Sequence, residues 1–284
     1  MTRLKNAAPI ADVPKDIMRH ILPSDNPFIN NANNMIGQLN RLSGMLPARY
    51  GWRFRTAEAF RTELARVAAK SVDALPVNEL YWRDMLGNWE AYSIMNTLRM
   101  VDLARSCIWA LARKDIVCAS LLARSALETA AAFVDASRTV SATLGVTSAE
   151  AEPGSILDCN VDLRKNYITS NELESYSLKT IFASRLPESD TIYNPTNIVT
   201  IIARIAKTPG QEFIRPTYDT LCEAAHLNLV GRGLYLQSSE PGPWEGNQLR
   251  AIGPGNGPSW PYLARSIVAA NSWACGTQVS AFQL

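Results

Sequence analysis

Apolar positions recur at helical spacing along most of this chain. No run of β-branched residues alternates with polar ones as a strand would. The pattern predicts an all-α fold. A first helix covers about 56–75, with Thr56 as N-cap, Phe60, Leu64 and Val67 on one face, and Pro76 to stop it. A second stretch covers about 78–113, as one long helix or two broken near Gly87. It is marked by Tyr81, Met85, Trp89, Ile94, Leu98, Val101 and Ile108. Lys114-Asp115 reads as a tight turn into a helix over about 116–140. Further helices are expected over 171–185, capped by Asn171, over 196–207 and over 215–228, and a last one starts at Pro261. Short connections imply antiparallel neighbours, as in a helical bundle.

The pattern fails in three places. Residues 1–50, rich in Pro, Asn and Asp, predict an irregular N-terminal arm with short helical turns. Residues 144–160, with Gly145, Pro153 and Gly154, predict a loop. Residues 229–260, rich in Gly and Pro and holding Trp244 and Trp260, predict a long loop with room for a short hairpin around 233-GLYLQ-237. The chain then divides into an arm (1–50), a helical bundle domain (51–228), and a loop with a C-terminal helix packed on the bundle (229–284).

Composition narrows the class. A chain of 284 residues, 47% hydrophobic and 19% charged, buries a core without disulfides or metals and is not a disordered chain. A net charge of +2 argues against a generic basic nucleic-acid binder, though a local basic patch is compatible with it. Cys107, Cys118, Cys159, Cys222 and Cys275 are scattered without C-x-x-C spacing, which excludes a zinc ribbon and fits a reducing compartment. The first twenty residues lack the apolar core of a secretory signal. The uncharged stretch 266–284 is too polar for a membrane span and reads as a buried or interface helix. A cytoplasmic protein with no membrane partner is expected.

Two helices carry the candidate chemistry. On a wheel of 121-LLARSALETAAAFVD-135, Glu128 falls about 40° from Arg124, one turn on, so the two can pair. The rest of that helix is apolar nearly all round and belongs at the bundle centre. On 218-YDTLCEAAHLNLVG-231, Leu221, Cys222 and Ala225 flank Tyr218 as a packing face. Asp219, Glu223 and His226 form a stripe of ionisable groups beside it, with Glu223 and His226 spaced to hydrogen-bond. One reading is a buried polar network that fixes how two helices dock. The other is a site in which His226 and Glu223 do acid–base work, Arg124 and Glu128 sit beside them, and Tyr218, Asp219 and Asn228 contact substrate. No metal or other cofactor is called for, because the two histidines, His20 and His226, lie far apart. Cys222 reads as a small hydrophobe, and 252-IGPGNGPSWP-261 lacks the Lys-Ser/Thr of a phosphate-binding loop.

The run 99-RMVDLARSCIWALARKDIVCASLLARSALETAAAF-133, followed by 218-YDTLCEAAHLNLVG-231, resembles a group of uncharacterised bacterial helical proteins. These share an "aRs-lE" helix and a later "Y-x-x-L-s-e-x-x-H-p-N" helix, and are similar in turn to the HEPN superfamily. The resemblance covers roughly residues 80–235. It implies a homo-oligomer in a bacterial defence or stress system, bound to RNA or to a partner protein, and in many HEPN members metal-independent RNA cleavage. The HEPN nuclease signature places an Arg four to six residues before the His. Here Asp219, Thr220 and Leu221 fill that window, and Arg215 lies too far upstream. Leu227 stands where the group has Pro, while Asn228 and Gly231 match. Arg124, on the facing helix, is the candidate to supply the missing cation. The reading from a different class is a non-catalytic helical scaffold that oligomerises.

Overall fold

The computed structural model describes residues 26–46, 57–70, 75–150, 170–187, 189–226, 231, 234–238, 249–251 and 260–282. It is an all-α bundle. In chain order the helices are α1 (Asn26–Met45), α2 (Ala57–Lys70), α3 (Leu75–Ala112), α4 (Ile116–Glu150), α5 (Asn171–Thr180), α6 (Ile198–Ile205), α7 (Ile214–Ala225) and α8 (Trp260–Phe282). A 3-10 turn covers Thr191–Tyr193. Among the described residues one short ribbon breaks the helical pattern: β1 (Leu236–Ser238) pairs antiparallel with β2 (Leu249–Ala251), Gln237 opposite Arg250. It lies at the edge of the segment expected to form a hairpin; the rest of loop 229–260 falls mostly outside the described residues.

Several elements depart from the sequence pattern. Residues 26–45 form a 20-residue helix, not an irregular arm. Its asparagines are poor helix formers, but Met35, Leu39 and Leu42 are completely buried, and packing against α8 outweighs propensity. Helix α3 runs unbroken through Gly87. Leu98, expected on its apolar face, is exposed. Helix α4 continues through Gly145 to Glu150, where a loop was expected. Helix α5 ends at Thr180 and is capped by Ser170, whose side chain accepts from the Leu173 N–H, so the cap falls one residue before Asn171.

The turn between α3 and α4 holds at both ends of Lys114. The Lys114 N–H donates to Leu111 O, and the Asp115 N–H to Ala110 O, both at 2.9 Å. This is the paired bonding that closes a helix C-terminus, with Lys114 in the left-handed region at φ 59°.

The backbone forms two compact units, each discontinuous in sequence. One comprises the described parts of 1–46, 96–134 and 198–284. Its core joins Met35 and Leu39 of α1, Met100 and Leu111 of α3, Leu127 of α4, Ile202 of α6, Leu221 of α7 and Ile267 of α8. Ala119, Ala123, Ala126, Ala130 and Ala131 of α4 are wholly buried, and their short side chains let neighbours approach closely. Polar groups also lie in this core: Asn271 donates to Cys107 Sγ (3.1 Å) and Ile267 O (3.0 Å), and Gln278 to Thr97 Oγ1 (3.1 Å). The other unit comprises 47–95 and 135–197. There Tyr81, Met85 and Trp89 pack with Ala136 and Leu173, and Trp89 stacks on Tyr176 at 5.9 Å. The stretch Ile116–Leu144 is long and apolar enough to cross a membrane by composition alone. More than half of its most apolar window is buried inside the protein, as in any core helix.

Candidate functional site

Helices α4 and α7 meet in the first unit, and four of the expected site residues meet with them. Arg124 Nε donates to Glu128 Oε1 at 2.9 Å, one turn along α4. The Tyr218 hydroxyl, from α7, donates to the same Glu128 oxygen at 3.0 Å. The Arg124 guanidinium also lies over the Tyr218 ring, 5.6 Å from its centroid. Its Nη1 then reaches His226 Nε2 at 3.3 Å. Arg124 is a hub: carboxylate on one side, ring below, imidazole at the outer edge.

The electrostatics follow from this arrangement. Burial works against the Arg124 charge, but Glu128, with smaller contributions from Cys222 and Tyr218, outweighs it and holds the guanidinium above its ordinary range. The Tyr218 phenol is pushed up to about 12, by burial first, then by its hydrogen bond with Cys222 and the nearby Glu128 charge. Burial also raises the Cys222 thiol, against the lowering pull of Tyr218 and Arg124. Cys222 is therefore held as a thiol and not as a thiolate nucleophile.

The remaining expected site residues are placed differently. Asp219 faces back along α7 and pairs with Arg215 at 2.9 Å on the exposed surface. Glu223 is exposed, and no hydrogen bond joins it to His226 among the described residues. The reason is local. Helix α7 ends at Ala225, and His226 is its C-cap with an extended backbone (φ −98°, ψ 150°). A wheel continued to 228 misplaces the imidazole, which turns toward Arg124. Asn228 lies outside the described residues. Gly231 returns to this helix end so closely that a Cβ there would stand 2.0 Å from His226 O and 3.2 Å from Glu223 O. Arg215 is the residue that signature counting set aside. Its i,i+4 spacing to Asp219 was the available signal for that ion pair.

Among the described residues no group of three His, Cys, Asp or Glu side chains gathers as metal ligands would. Glu128, Asp219, Glu223 and His226 do not gather in one such group. An arginine beside an exposed imidazole is instead suited to an anion. The Arg124 N–H donates to the His226 lone pair only while Nε2 carries no proton.

No family model, curated protein or solved structure matches the chain.

Proposed function

We propose that this chain is a HEPN-like RNA-binding protein whose Arg124–His226 pair contacts a phosphate and cleaves the RNA next to it without a metal. The observation that carries the reading is the 3.3 Å approach of Arg124 Nη1 to His226 Nε2, at an exposed position. In this reading Arg124 of α4 stands in for the cation missing from the window before His226, since Arg215 of α7 is turned to Asp219. In this reading His226 Nε2 accepts the proton of a ribose 2′-hydroxyl. The oxygen attacks the adjacent phosphorus, and the bond to the 5′-oxygen breaks with a proton taken from water. The products are a 2′,3′-cyclic phosphate and a 5′-hydroxyl. Arg124 balances the negative charge that builds on the phosphorus oxygens. The Glu128 carboxylate and Tyr218 ring fix the guanidinium so that it is placed before substrate arrives. The setting that goes with this reading is a cytoplasmic bacterial defence or stress system, with the protein as a homo-oligomer.

A second reading rests on a separate observation. Glu128 Oε1 is shared by Arg124 and Tyr218, a closed arrangement that locks α4 to α7 whether or not RNA binds. On that basis the protein is a helical scaffold that binds a protein partner. Incubation of the purified protein with RNA in EDTA separates the two. Cleavage to cyclic-phosphate ends, abolished by His226→Ala and by Arg124→Gln but kept by Glu223→Gln, supports the nuclease. An intact substrate with folded wild-type protein sinks it and leaves the scaffold.

A further inference from the structure

A second concavity lies in the same unit, away from the Arg124–His226 pair. It is a cavity of about 540 Å³ lined from α1, α8 and the segment leading into α7. Among the described residues its lining contains no ionisable side chain. It contains three carboxamides, Asn34, Gln38 and Gln211, two aromatic rings, Phe213 and Trp273, and several hydroxyls. Gln211 and Phe213 precede the first turn of α7, while His226 follows its last. The helix between them, 12 residues long, sets the two places about 18 Å apart along its axis.

The polar groups of this cavity are unequally used. Gln211 Oε1 accepts from the Trp273 indole N–H, which fixes the Trp ring. Asn34 Nδ2 donates to Ser272 Oγ at 3.2 Å. Gln38 Oε1 is buried and has no hydrogen-bond partner among the described residues. A buried acceptor without a donor costs stability, and a donor brought to this amide would offset that cost. The Gln38 side chain packs over Gly276 of α8, where a Cβ would lie 3.7 Å from Gln38 Cδ.

We propose that this cavity binds an uncharged nucleobase, as a free nucleoside. The absence of charge in the lining rejects phosphates and carboxylates, whose desolvation nothing there would offset. The Phe213 and Trp273 rings offer stacking faces. A carboxamide presents a donor and an acceptor in one plane, the pairing that a base edge presents in return. This site does not depend on the nuclease reading, and its ligand carries no phosphate for Arg124 to hold.

Titration of the full-length protein with adenosine, guanosine, cytidine and uridine by calorimetry tests it, with glucose as a non-planar, hydroxyl-rich control. Saturable one-site binding of at least one nucleoside is expected, with glucose silent. Gln38→Met, close in shape but without donor or acceptor, weakens it about tenfold, as does Phe213→Ala, which removes an exposed ring. His226→Ala leaves it unchanged, so loss of RNA cleavage and loss of nucleoside binding are separate outcomes. No saturable binding by any nucleoside overturns the proposal. So does glucose binding as tightly as the best nucleoside, or a nucleoside affinity that ignores both Gln38→Met and Phe213→Ala while thermal unfolding shows both folded.

Discussion

Arg124 and His226 stand 102 residues apart in the chain and 3.3 Å apart in space, Nη1 to Nε2. The contact unites the only basic residue on the inner stretch of α4 that meets α7 with an imidazole just past the end of α7. Everything proposed for the site follows from which partners Arg124 already holds.

Arg124→Met strands the Glu128 carboxylate, which is less than one-third exposed, beside a phenol that remains its single donor. A loss of about 1–3 kcal/mol in urea unfolding is expected. Glu128→Gln costs less, because the amide oxygen still accepts from Tyr218. Equal costs for the two would mean that the carboxylate is not held by Arg124.

Alkaline pH weakens the fold through its buried phenols. Tyr218 is pushed up to about 12 by burial, and Tyr81 likewise to about 12, again by burial first, with Glu174 adding and the Ser170 backbone bond opposing. Below the ordinary value of 10.0 both phenols keep their protons, folded or unfolded. Between 10 and about 12 the folded state still binds protons that the unfolded chain has released, so stability falls as pH rises. Denaturation midpoints measured across this window should decline, and the decline should shrink in the Tyr81→Phe, Tyr218→Phe double variant.

Gly231→Ala tests the close return over the end of α7. A Cβ at 2.0 Å from His226 O forces the backbone to move, and the neighbouring atom is main chain, not a flexible side chain. A loss of more than about 2 kcal/mol in stability is expected, with disturbance of His226 beyond it. An alanine variant as stable as wild type would mean that the segment does not pass there.

Thiol chemistry should sort the cysteines by depth. Cys107 and Cys275 are completely buried, and burial raises both thiols, Cys275 to about 12. Cys118 is exposed and Cys222 half-buried. Among the four described cysteines, peptide mapping after brief alkylation of the native protein should find Cys118 modified before Cys222, with Cys107 and Cys275 labelled only once denaturant is added. Early labelling of Cys107 would contradict the packing of α3 on α4.

Helical class and most helices are visible in the apolar spacing, because long amphipathic and all-apolar helices write their period into the chain. The exceptions share a cause. Helix α1 is rich in asparagine and is helical because α8 covers Met35, Leu39 and Leu42, a contact across more than two hundred residues. Helix α4 passes through Gly145, which the local signal reads as a break. At the site, the Arg124–Glu128 pair follows from i,i+4 spacing, and so does Arg215–Asp219. The Glu223–His226 bond does not form, because its prediction assumed three more helical residues than α7 has. The meeting of Arg124 with His226 was a guess from chemistry; no local spacing could have fixed it.

The packing of α1 on α8 also sets a timetable for synthesis. The apolar face of α1, with Met35, Leu39 and Leu42, leaves the ribosome more than two hundred residues before the helix that covers it. At ribosomal speeds of about 5–20 residues per second, that face waits on the order of ten seconds or more for its cover. During that interval the nascent chain presents a sticky surface and no finished first unit. A chaperone holding residues 35–42, or simple delay in translating the stretch between α1 and α8, would therefore act on this protein's yield far more than on its final stability.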